Sequence, residues 1–159
     1  IFNKPKTING ICSSSIISEK SEVNPDSSIG SFVKIDDNSS ISKDVVIESH
    51  CFIGKGVFIG EGTYIKSGAK IGVQGFGFER DSKNNPIRIW HSGGVNIGKH
   101  CEIGSNTIIE QNVKIGNNCV IGHGVIIKNS LIGNNVIIQD NCKIGQKGFG
   151  FIPIKKNNT

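Results

Sequence analysis

The chain lacks methionine and is short of aromatic residues, with one Trp, one Tyr and 6% aromatics among its 159 residues. Large rings therefore cannot form most of the core, and the 29 Ile residues must form it instead. β-Branched residues of this kind favour strands over helices. The longest apolar runs are triplets such as residues 45–47, far short of a membrane span. Since the chain starts at Ile1 without a Met, we expect it to be a piece of a longer product.

The pattern of cysteine and charge excludes further classes of protein. The five Cys residues are odd in number and form no CxxC pair, which argues against a disulfide framework or a zinc knuckle and predicts a reducing, cytoplasmic location. Lys and Arg number 18 against 13 acidic residues, for a net charge of +5. The basic residues are scattered, so nucleic acid is not the expected partner. A basic surface would suit an acidic carrier protein or a nucleotide.

A six-residue repeat organises the chain. Ile or Val recurs at every sixth position over 11–71 and again over 97–127, and the series resumes after one five-residue step at Ile132. This period matches neither an α-helix nor a coiled coil. When the aliphatic anchor is numbered position 1 of the hexad, position 2 is often Gly and position 5 is small. Four of the five Cys stand at position 5, namely Cys51, Cys101, Cys119 and Cys142.

A short strand followed by a tight turn accounts for such a hexad, with positions 1 and 5 both inside. Three faces close a triangular coil of 18 residues, and stacked coils pair in parallel and bury a continuous aliphatic column. The predicted fold is therefore an all-β, three-sided solenoid of hexapeptide repeats with six to seven coils. In this fold we interpret the position-5 Cys residues as small buried hydrophobes. The position-2 glycines are expected to supply backbone freedom at the corners.

One long insertion interrupts the repeat. From Ile71 to Ile97 the spacing is 26 residues, where six would continue the series. The inserted loop, residues 72–96, contains the only Trp of the chain and a Gly-Phe-Gly-Phe segment at 75–78. A loop of this length in a compact solenoid is usually functional. We interpret it as an arm that walls a substrate cleft; the alternative is a loop that covers one face of the solenoid.

A second Gly-Phe-Gly-Phe segment stands at 148–151, within a C-terminal tail of residues 146–159. The expected organisation is a lead-in over 1–10, a β-helix domain over 11–145 interrupted by the loop, and this tail. The glycine spacing does not indicate a dinucleotide site, because a solenoid pattern flanks it and no helix follows.

Hexads of the form Ile-Gly-x-x-small-x resemble the bacterial hexapeptide-repeat acyltransferases. Residues 69–107 contain Gly-Phe-Gly-Phe and His-Ser-Gly-Gly-Val-Asn-Ile-Gly, and are similar to the UDP-3-O-acylglucosamine N-acyltransferases of lipid A synthesis and to shorter relatives in surface-sugar synthesis. The resemblance implies a left-handed parallel β-helix and a homotrimer with active sites between subunits. It also implies transfer of an acyl group from a pantetheine thioester, on acyl carrier protein or coenzyme A, to the amine of a nucleotide-activated sugar. No tightly bound cofactor and no metal are expected.

The same resemblance points to site residues. Acyl transfer needs a base near the attacking atom and hydrogen-bond donors for the developing oxyanion. His123 corresponds to the family's catalytic His, with Gly124 where the family has Asn, and Asn117 corresponds to its active-site Asn. A backbone N–H near Gly122 or on a neighbouring coil is expected to hold the oxyanion. His91 stands where the family lines the acceptor cleft.

The Gly-Phe-Gly-Phe segment of the loop is expected to bind substrate, with its two rings bordering the acyl or pantetheine channel. Its residues are Gly75, Phe76, Gly77 and Phe78. His50 and His100 both stand at position 4, which points outward, and are interpreted as surface residues.

Three other functions stay open on the sequence. An acetyl-CoA-dependent sugar O- or N-acetyltransferase would carry the same repeat. A γ-class carbonic anhydrase would need three imidazoles on one zinc, whereas His100 and His123 lie one coil and one face apart. A non-catalytic solenoid such as an ice-binding protein would show a Thr ladder, whereas the outward positions here carry mixed Lys, Glu, Asn and Ser. Charge does not separate the two acyl donors, because both are anionic.

Overall fold

The computed structural model describes residues 10–75, 78–88 and 93–146. This part of the chain forms strands and turns without a helix, so it contains no helix long and apolar enough to cross a membrane. Most strands are two residues long, because only positions 6 and 1 of each hexad lie between successive turns. The strands fall into three parallel sheets of seven, six and six strands, and a separate antiparallel pair.

The three sheets form the three sides of the solenoid. Sheet 1 contains β1 (Ile16–Ile17), β4 (Lys34–Ile35), β7 (Phe52–Ile53), β10 (Lys70–Val73), β15 (Ile108–Glu110), β18 (Ile126–Ile127) and β21 (Lys143–Ile144). Sheet 2 contains β2 (Glu22–Val23), β5 (Ser40–Ile41), β8 (Phe58–Ile59), β13 (Asn96–Ile97), β16 (Lys114–Ile115) and β19 (Leu131–Ile132). Sheet 3 contains β3 (Ser28–Ile29), β6 (Val46–Ile47), β9 (Tyr64–Ile65), β14 (Glu102–Ile103), β17 (Val120–Ile121) and β20 (Ile137–Ile138).

Each coil visits the sheets in the order 1, 2, 3 and then returns to sheet 1 one level along the stack. We name the turns by the sheets they join: the 1–2, 2–3 and 3–1 corners. The arrangement, about seven coils of parallel strands, fits a left-handed parallel β-helix. The predicted all-β solenoid is thereby confirmed.

The core is the predicted column of aliphatic anchors. Ile53, Ile59 and Ile65, one from each sheet, are fully buried, and so are the corresponding residues of the neighbouring coils. The small residues of position 5, such as Val57 and Ala69, fill the space beside them. Burial of one Ile side chain stabilises the folded chain by about 1.5–3 kcal/mol. The column therefore accounts for most of the apolar stabilisation.

The corners correct the expectation for most of the position-2 glycines. Glycines there, such as Gly54 and Gly60, do not adopt the left-handed conformation. A Cβ on Gly54 would lie 2.5 Å from the carbonyl oxygen of Gly72, and one on Gly60 would lie 2.6 Å from the carbonyl carbon of Gly98. Close approach of neighbouring backbones therefore requires glycine at Gly54 and Gly60, whereas Gly72 and Gly145, with φ of 79° and 77°, use the backbone freedom that was expected.

The left-handed conformation falls mostly at position 4. Asn106 and Asn141 have φ of 57° and 61°, and His50 and His100 have φ of 62° and 53°. Asn and Asp adopt this conformation more readily than other non-glycine residues, because their short polar side chains form local hydrogen bonds. The two His residues are exposed, as expected, and they also form the turn itself.

Position 5 contributes hydrogen bonds as well as packing. Thr107 Oγ1 donates to the carbonyl oxygen of Gly122 at 2.7 Å, and Cys101 Sγ donates to that of Gly116 at 3.1 Å. In each case the acceptor is the position-2 carbonyl of the next coil. Interpreting the Cys residues as small hydrophobes was therefore incomplete: a buried thiol also links adjacent coils.

The long insertion leaves the register of the solenoid unchanged. β8 pairs with β13, with Phe58 opposite Asn96 and Ile59 opposite Ile97. These partners are 38 residues apart in the chain, against 18 for an uninterrupted coil. The insertion therefore adds residues at the 1–2 corner without displacing the coils on either side.

Part of the predicted loop is an antiparallel hairpin of β11 (Phe78–Arg80) and β12 (Pro86–Arg88). Asp81 stabilises its turn, because Oδ1 accepts hydrogen bonds from the backbone N–H groups of Lys83 at 2.9 Å and Asn85 at 2.8 Å. These backbone hydrogen bonds from Asn85 and Lys83, and the side-chain bond from Asn85, hold the pKa of Asp81 below its usual value.

Cys12 is expected to be the reactive thiol. Its Sγ lies 3.3 Å from Ser14 Oγ and 3.2 Å from Ser31 Oγ, and these hydrogen bonds lower its pKa to about 7. Burial raises the pKa of Cys51 to about 11. Since the thiolate is the nucleophile, iodoacetamide near neutral pH should alkylate Cys12 well before Cys51, as followed by peptide mass spectrometry. Cys12→Ser should remove the fast phase, and equal labelling of the two thiols in the folded chain would contradict the expectation.

Candidate active site

His123 lies at the 3–1 corner between β17 and β18, at position 3 of its hexad, and is exposed. Its Nδ1 accepts a hydrogen bond from the backbone N–H of Ser105, one coil earlier, at 2.9 Å. Its own backbone N–H donates to Oδ1 of Asp140, one coil later, at 2.7 Å. Each position-3 side chain here therefore caps the N–H group of the preceding coil, and this ladder holds the imidazole at the edge of the prism.

The hydrogen bond from Ser105 determines where the neutral imidazole of His123 carries its proton. A nitrogen that accepts a hydrogen bond has no proton of its own, so the proton lies on Nε2. In this arrangement Nε2 is a hydrogen-bond donor, and Nδ1 is the basic nitrogen. Base catalysis by either nitrogen requires the Ser105–His123 hydrogen bond to open, since a protonated Nδ1 would face another donor.

The turn that carries His123 rests on the preceding coil. Thr107 Oγ1 donates to the carbonyl oxygen of Gly122 and accepts a hydrogen bond from the N–H of Val125 at 3.3 Å. A Cβ on Gly104 would lie 2.3 Å from both the carbonyl carbon and the carbonyl oxygen of Gly122. The close backbone contact at Gly104 and the hydroxyl of Thr107, both on the preceding coil, thus fix the position of the turn that carries the imidazole.

The geometry of this turn bears on Gly124 and on the expected oxyanion donor. Gly124 has φ of 64°, the conformation that Asn106 and Asn141 adopt at the same position of neighbouring coils. Gly therefore replaces Asn there without altering the turn. The N–H of Gly122, however, donates to the carbonyl oxygen of Ile138 at 2.8 Å and is therefore engaged, which leaves a donor on a neighbouring coil as the other expected oxyanion group.

Asn117 lies at a different corner from His123. It is in the 2–3 turn between β16 and β17, where its Oδ1 accepts the N–H of Lys99 at 2.8 Å and its own N–H donates to Asn134 Oδ1 at 2.7 Å. Asn117 and His123 stand on either side of β17, on two different edges of the prism. The structure therefore does not bring them to one reaction centre within a single chain.

The predicted substrate-binding residues belong to the insertion at the 1–2 corner. Gly75 is buried and Phe78 is the first residue of β11. Phe76, Gly77 and His91 lie outside the described residues. Residues expected to act together thus leave the solenoid at three separate corners.

A cleft of about 400 Å³ lies where the insertion returns to sheet 2. Phe58, Val95 and Leu131 supply apolar wall, and Asn112 and Lys114 supply polar groups. Sequence reasoning missed this cleft. Phe58 and Leu131 each stand directly before an aliphatic anchor, at the outward position of a strand, and both are exposed; large apolar residues at an outward position were the signal.

The remaining His residues are not part of a ligand cluster in the described ranges. His50 lies at the 3–1 corner and His100 at the 2–3 corner. Across residues 10–75, 78–88 and 93–146, no three His, Cys, Asp or Glu residues are grouped so that they could hold a metal ion.

Comparisons with known proteins agree with the repeat. The family model "Bacterial transferase hexapeptide (six repeats)" matches residues 26–60 and 94–129. A UDP-3-O-acylglucosamine N-acyltransferase of Rickettsia akari is 47% identical over 75 residues, covering 40% of this chain and 21% of the relative. The UDP-3-O-acylglucosamine N-acyltransferase 2 of Legionella pneumophila (strain Lens) is 40% identical over 75 residues, covering 37% of this chain and 22% of the relative. The chain spans about a fifth of the length of these curated relatives.

Solved structures show the same fold. A UDP-N-acetylglucosamine acyltransferase superposes with a TM-score of 0.72 at 21% identity, covering 84% of this chain and 51% of that one. The enzyme of this name from Arabidopsis gives a TM-score of 0.67 at 17% identity, covering 84% and 48%. The repeat matched in two segments and the three-sided stack of parallel strands show that the chain has a hexapeptide-repeat fold, and over 75 residues its sequence is similar to the UDP-3-O-acylglucosamine N-acyltransferases.

Proposed function

We propose that the protein is an acyltransferase that moves an acyl group from a pantetheine thioester to the amine of a nucleotide-activated sugar, in lipid A or surface-polysaccharide synthesis. The observation that carries this proposal is the exposed imidazole of His123, anchored by Ser105 on a turn of a hexapeptide coil. The curated relatives named as sugar N-acyltransferases supply the reaction class. The net charge of +5 suits an anionic donor such as acyl carrier protein or coenzyme A.

In this mechanism His123 is the general base. The sugar amine attacks the thioester carbonyl carbon; a C–N bond forms, the amine loses a proton to the imidazole, and the C–S bond then breaks. The imidazolium returns the proton to the leaving thiolate. Because Nδ1 is engaged by Ser105, the ring turns about its Cβ–Cγ bond when substrate binds and presents Nδ1 to the amine.

Two groups beside His123 support the charges that develop. Turning the ring releases the N–H of Ser105, which becomes a donor for the oxyanion on the reacting carbonyl. The Asp140 carboxylate, whose Oδ1 lies 2.7 Å from the backbone nitrogen of His123, stabilises the transient positive charge of the imidazolium. Ser105 is on the coil before that of His123, so its N–H is the oxyanion donor on a neighbouring coil, and the Gly122 N–H is not needed for this role.

The complete site, in this proposal, forms between subunits of a homotrimer. His123, Asn117 and the insertion occupy three corners of one prism, and a neighbouring copy would bring a second corner to each. Exposed apolar side chains beside the His123 coil, Val120 and Ile137 on the outer face of sheet 3, provide surface for such packing. Phe58 and Leu131 on sheet 2 would border the acyl or pantetheine channel together with the insertion.

The donor is tested by mass spectrometry of the sugar product. Purified protein is incubated with a UDP-linked 3-O-acylglucosamine and either a 3-hydroxyacyl carrier protein or acetyl-CoA. We expect transfer from the carrier protein, with the new amide on the amine. Transfer from acetyl-CoA alone would instead establish the alternative, an acetyl-CoA-dependent sugar acetyltransferase, and no product with either donor would contradict both. All five Cys are free thiols, which fits the cytoplasmic compartment where these donors occur.

A further inference from the structure

Phe32 and His50 form an aromatic stack on the same corner as His123. Their ring centroids are 5.1 Å apart and the ring planes make an angle of 16°. Both residues stand at position 4 of the 3–1 corner, where the backbone N–H of His50 donates to the carbonyl oxygen of Ser31 on the preceding coil. The stack therefore lies on the edge of the prism, in line with the turn that carries the imidazole of His123.

Phe32 is unfavourable at this place on two counts. Its φ is 57°, a left-handed conformation that destabilises the backbone of a residue with a Cβ by about 1–2 kcal/mol. Its residue surface is 63% exposed, in a chain with few aromatics. Neither the strained backbone nor the exposed ring of Phe32 stabilises the fold, because Asn and Gly form the same turn on other coils. Strained residues of this kind cluster at functional sites.

Lys70 adds a cation farther along the same edge. Its Nζ donates to the carbonyl oxygen of Gly68 at 3.4 Å, and Gly68 occupies position 4 one coil beyond His50. No ion pair among the described residues involves Lys70, whereas Lys34 is paired with Asp36 at 3.1 Å. The Lys70 ammonium is therefore available to an anion at this edge.

The order of these groups is regular in space. Position 4 runs from Phe32 through His50, Gly68 and Asn106 to Gly124, beside His123, one coil at a time. With coils about 4.8 Å apart, the level of Lys70 along the stack is about 5–10 Å from the levels of His50 and Phe32 and about 10 Å from that of His123. Small residues line the same corner at position 3, namely Ser31, Ser49, Ser67 and Ser105. Small side chains thus leave this edge uncovered from Phe32 to His123, and we call this stretch the track.

Acidic groups near the track are already engaged. Glu48 accepts hydrogen bonds from Tyr64 Oη and, at 2.8 Å, from both the N–H and the hydroxyl of Ser67. Glu102 is paired with Lys66 at 2.6 Å. Both carboxylates lie toward sheet 3, whereas Lys70 extends from sheet 1. An anion on this edge would therefore approach from the sheet 1 side.

We infer that this edge binds the nucleoside diphosphate part of the sugar substrate, with the base stacked on Phe32 and His50 and the diphosphate on Lys70. The sugar then extends toward His123, which places its amine at the imidazole. The inference rests on the proposed function for the identity of the ligand. It goes beyond that function in assigning nucleotide recognition to the N-terminal coils of the β-helix itself.

The test measures binding of uridine and UDP to the 159-residue chain by NMR titration. Phe32→Asn removes the ring and keeps a residue suited to the left-handed turn, so the fold is retained. Loss of one base-stacking partner should weaken the Kd of both probes by about fivefold or more. Lys70→Gln should weaken UDP but not uridine, because only UDP carries the diphosphate. Phe32→Tyr should restore binding.

Ile16→Asn is the matched control. Ile16 is 67% exposed on sheet 1, close to the exposure of Phe32, but it is paired with Lys34 one coil before that of Phe32 and so lies outside the span from Phe32 to His123; its replacement should leave both Kd values unchanged. An unchanged Kd for UDP in Phe32→Asn would overturn the inference, as would no binding of UDP to the wild type. A change in sedimentation of Phe32→Asn would also overturn it, by making Phe32 a subunit contact. If the expected binding pattern is found but no sugar is acylated, the nucleotide site stands and the proposed function alone fails.

Discussion

Replacing His123 with Asn is expected to lower kcat about a hundred- to ten-thousand-fold while leaving the melting temperature close to that of the wild type. The loss is the usual contribution of a positioned general base. Stability should survive because an Asn side chain can still cap Ser105: at the equivalent turn Asn117 Oδ1 accepts the N–H of Lys99 at 2.8 Å. The variant thus removes the imidazole and keeps the ladder. Steady-state kinetics and thermal unfolding, measured on the same sample, check both parts.

His100→Asn is the control for this experiment. His100 is also exposed on a corner, with φ of 53°, and Asn is suited to that conformation. Its replacement should change neither kcat nor stability. If His123→Asn kept wild-type kcat, His123 would not be the base. If His100→Asn lost as much activity, the effect would come from the turns in general and not from the imidazole of His123.

Replacing Gly104 with Ala is expected to lower the free energy of unfolding by about 1–3 kcal/mol, the usual cost of overpacking a close-packed site. The new Cβ would lie 2.3 Å from both the carbonyl carbon and the carbonyl oxygen of Gly122, and 2.6 Å from the backbone nitrogen of His123. All three atoms are backbone, so no side chain can rotate away and the coils must separate. For a chain of this length, the melting temperature should fall by roughly 3–10 °C.

Gly133→Ala is a matched control at the same position of another hexad. A Cβ on Gly133 would meet nothing within 4 Å, and its φ is not left-handed. This variant should melt like the wild type. Equal destabilisation by the two substitutions would show that loss of glycine itself, not the contact between coils, causes the effect. Because Gly104 supports the His123 turn, Gly104→Ala should also lower kcat, whereas Gly133→Ala should not.

The fold was predictable because the six-residue period identified both buried positions of the hexad, position 1 and position 5. Every sixth residue from Ile29 to Ile71 is buried, and a small residue at position 5 accompanies each. The period did not reveal why position 2 is so often glycine. A close approach between coils, such as Gly54 to Gly72, depends on residues 18 apart in sequence, and neighbours along the chain carry no sign of it. Backbone freedom was thus assigned to every position-2 glycine, when Gly72 and Gly145 use it and the other left-handed residues stand mostly at position 4.

The candidate site was predictable only in part. The corner position and exposure of His123 followed from its place in the hexad, but the hydrogen bond from Ser105, which sets the proton on Nε2, depends on the stacking of two coils. The separation of Asn117 from His123 also required the three-sided geometry. Phe32 was overlooked because position 4 was taken as plain surface. The cleft beside Leu131 was missed because outward positions were expected to be polar.

The unchanged pairing across the insertion has a consequence for how such proteins diversify. Phe58 and Asn96 are partners in the sheet, although 20 more residues separate them in the chain than an uninterrupted coil would. The pairing of the coils therefore does not depend on the length of chain between Ile71 and Ile97. We therefore expect the hairpin of β11 and β12 within this segment to be exchangeable, whereas Val95 near its end belongs to the buried core. Swapping the hairpin for a longer or shorter one should alter which molecule is accepted and leave the melting of the prism alone.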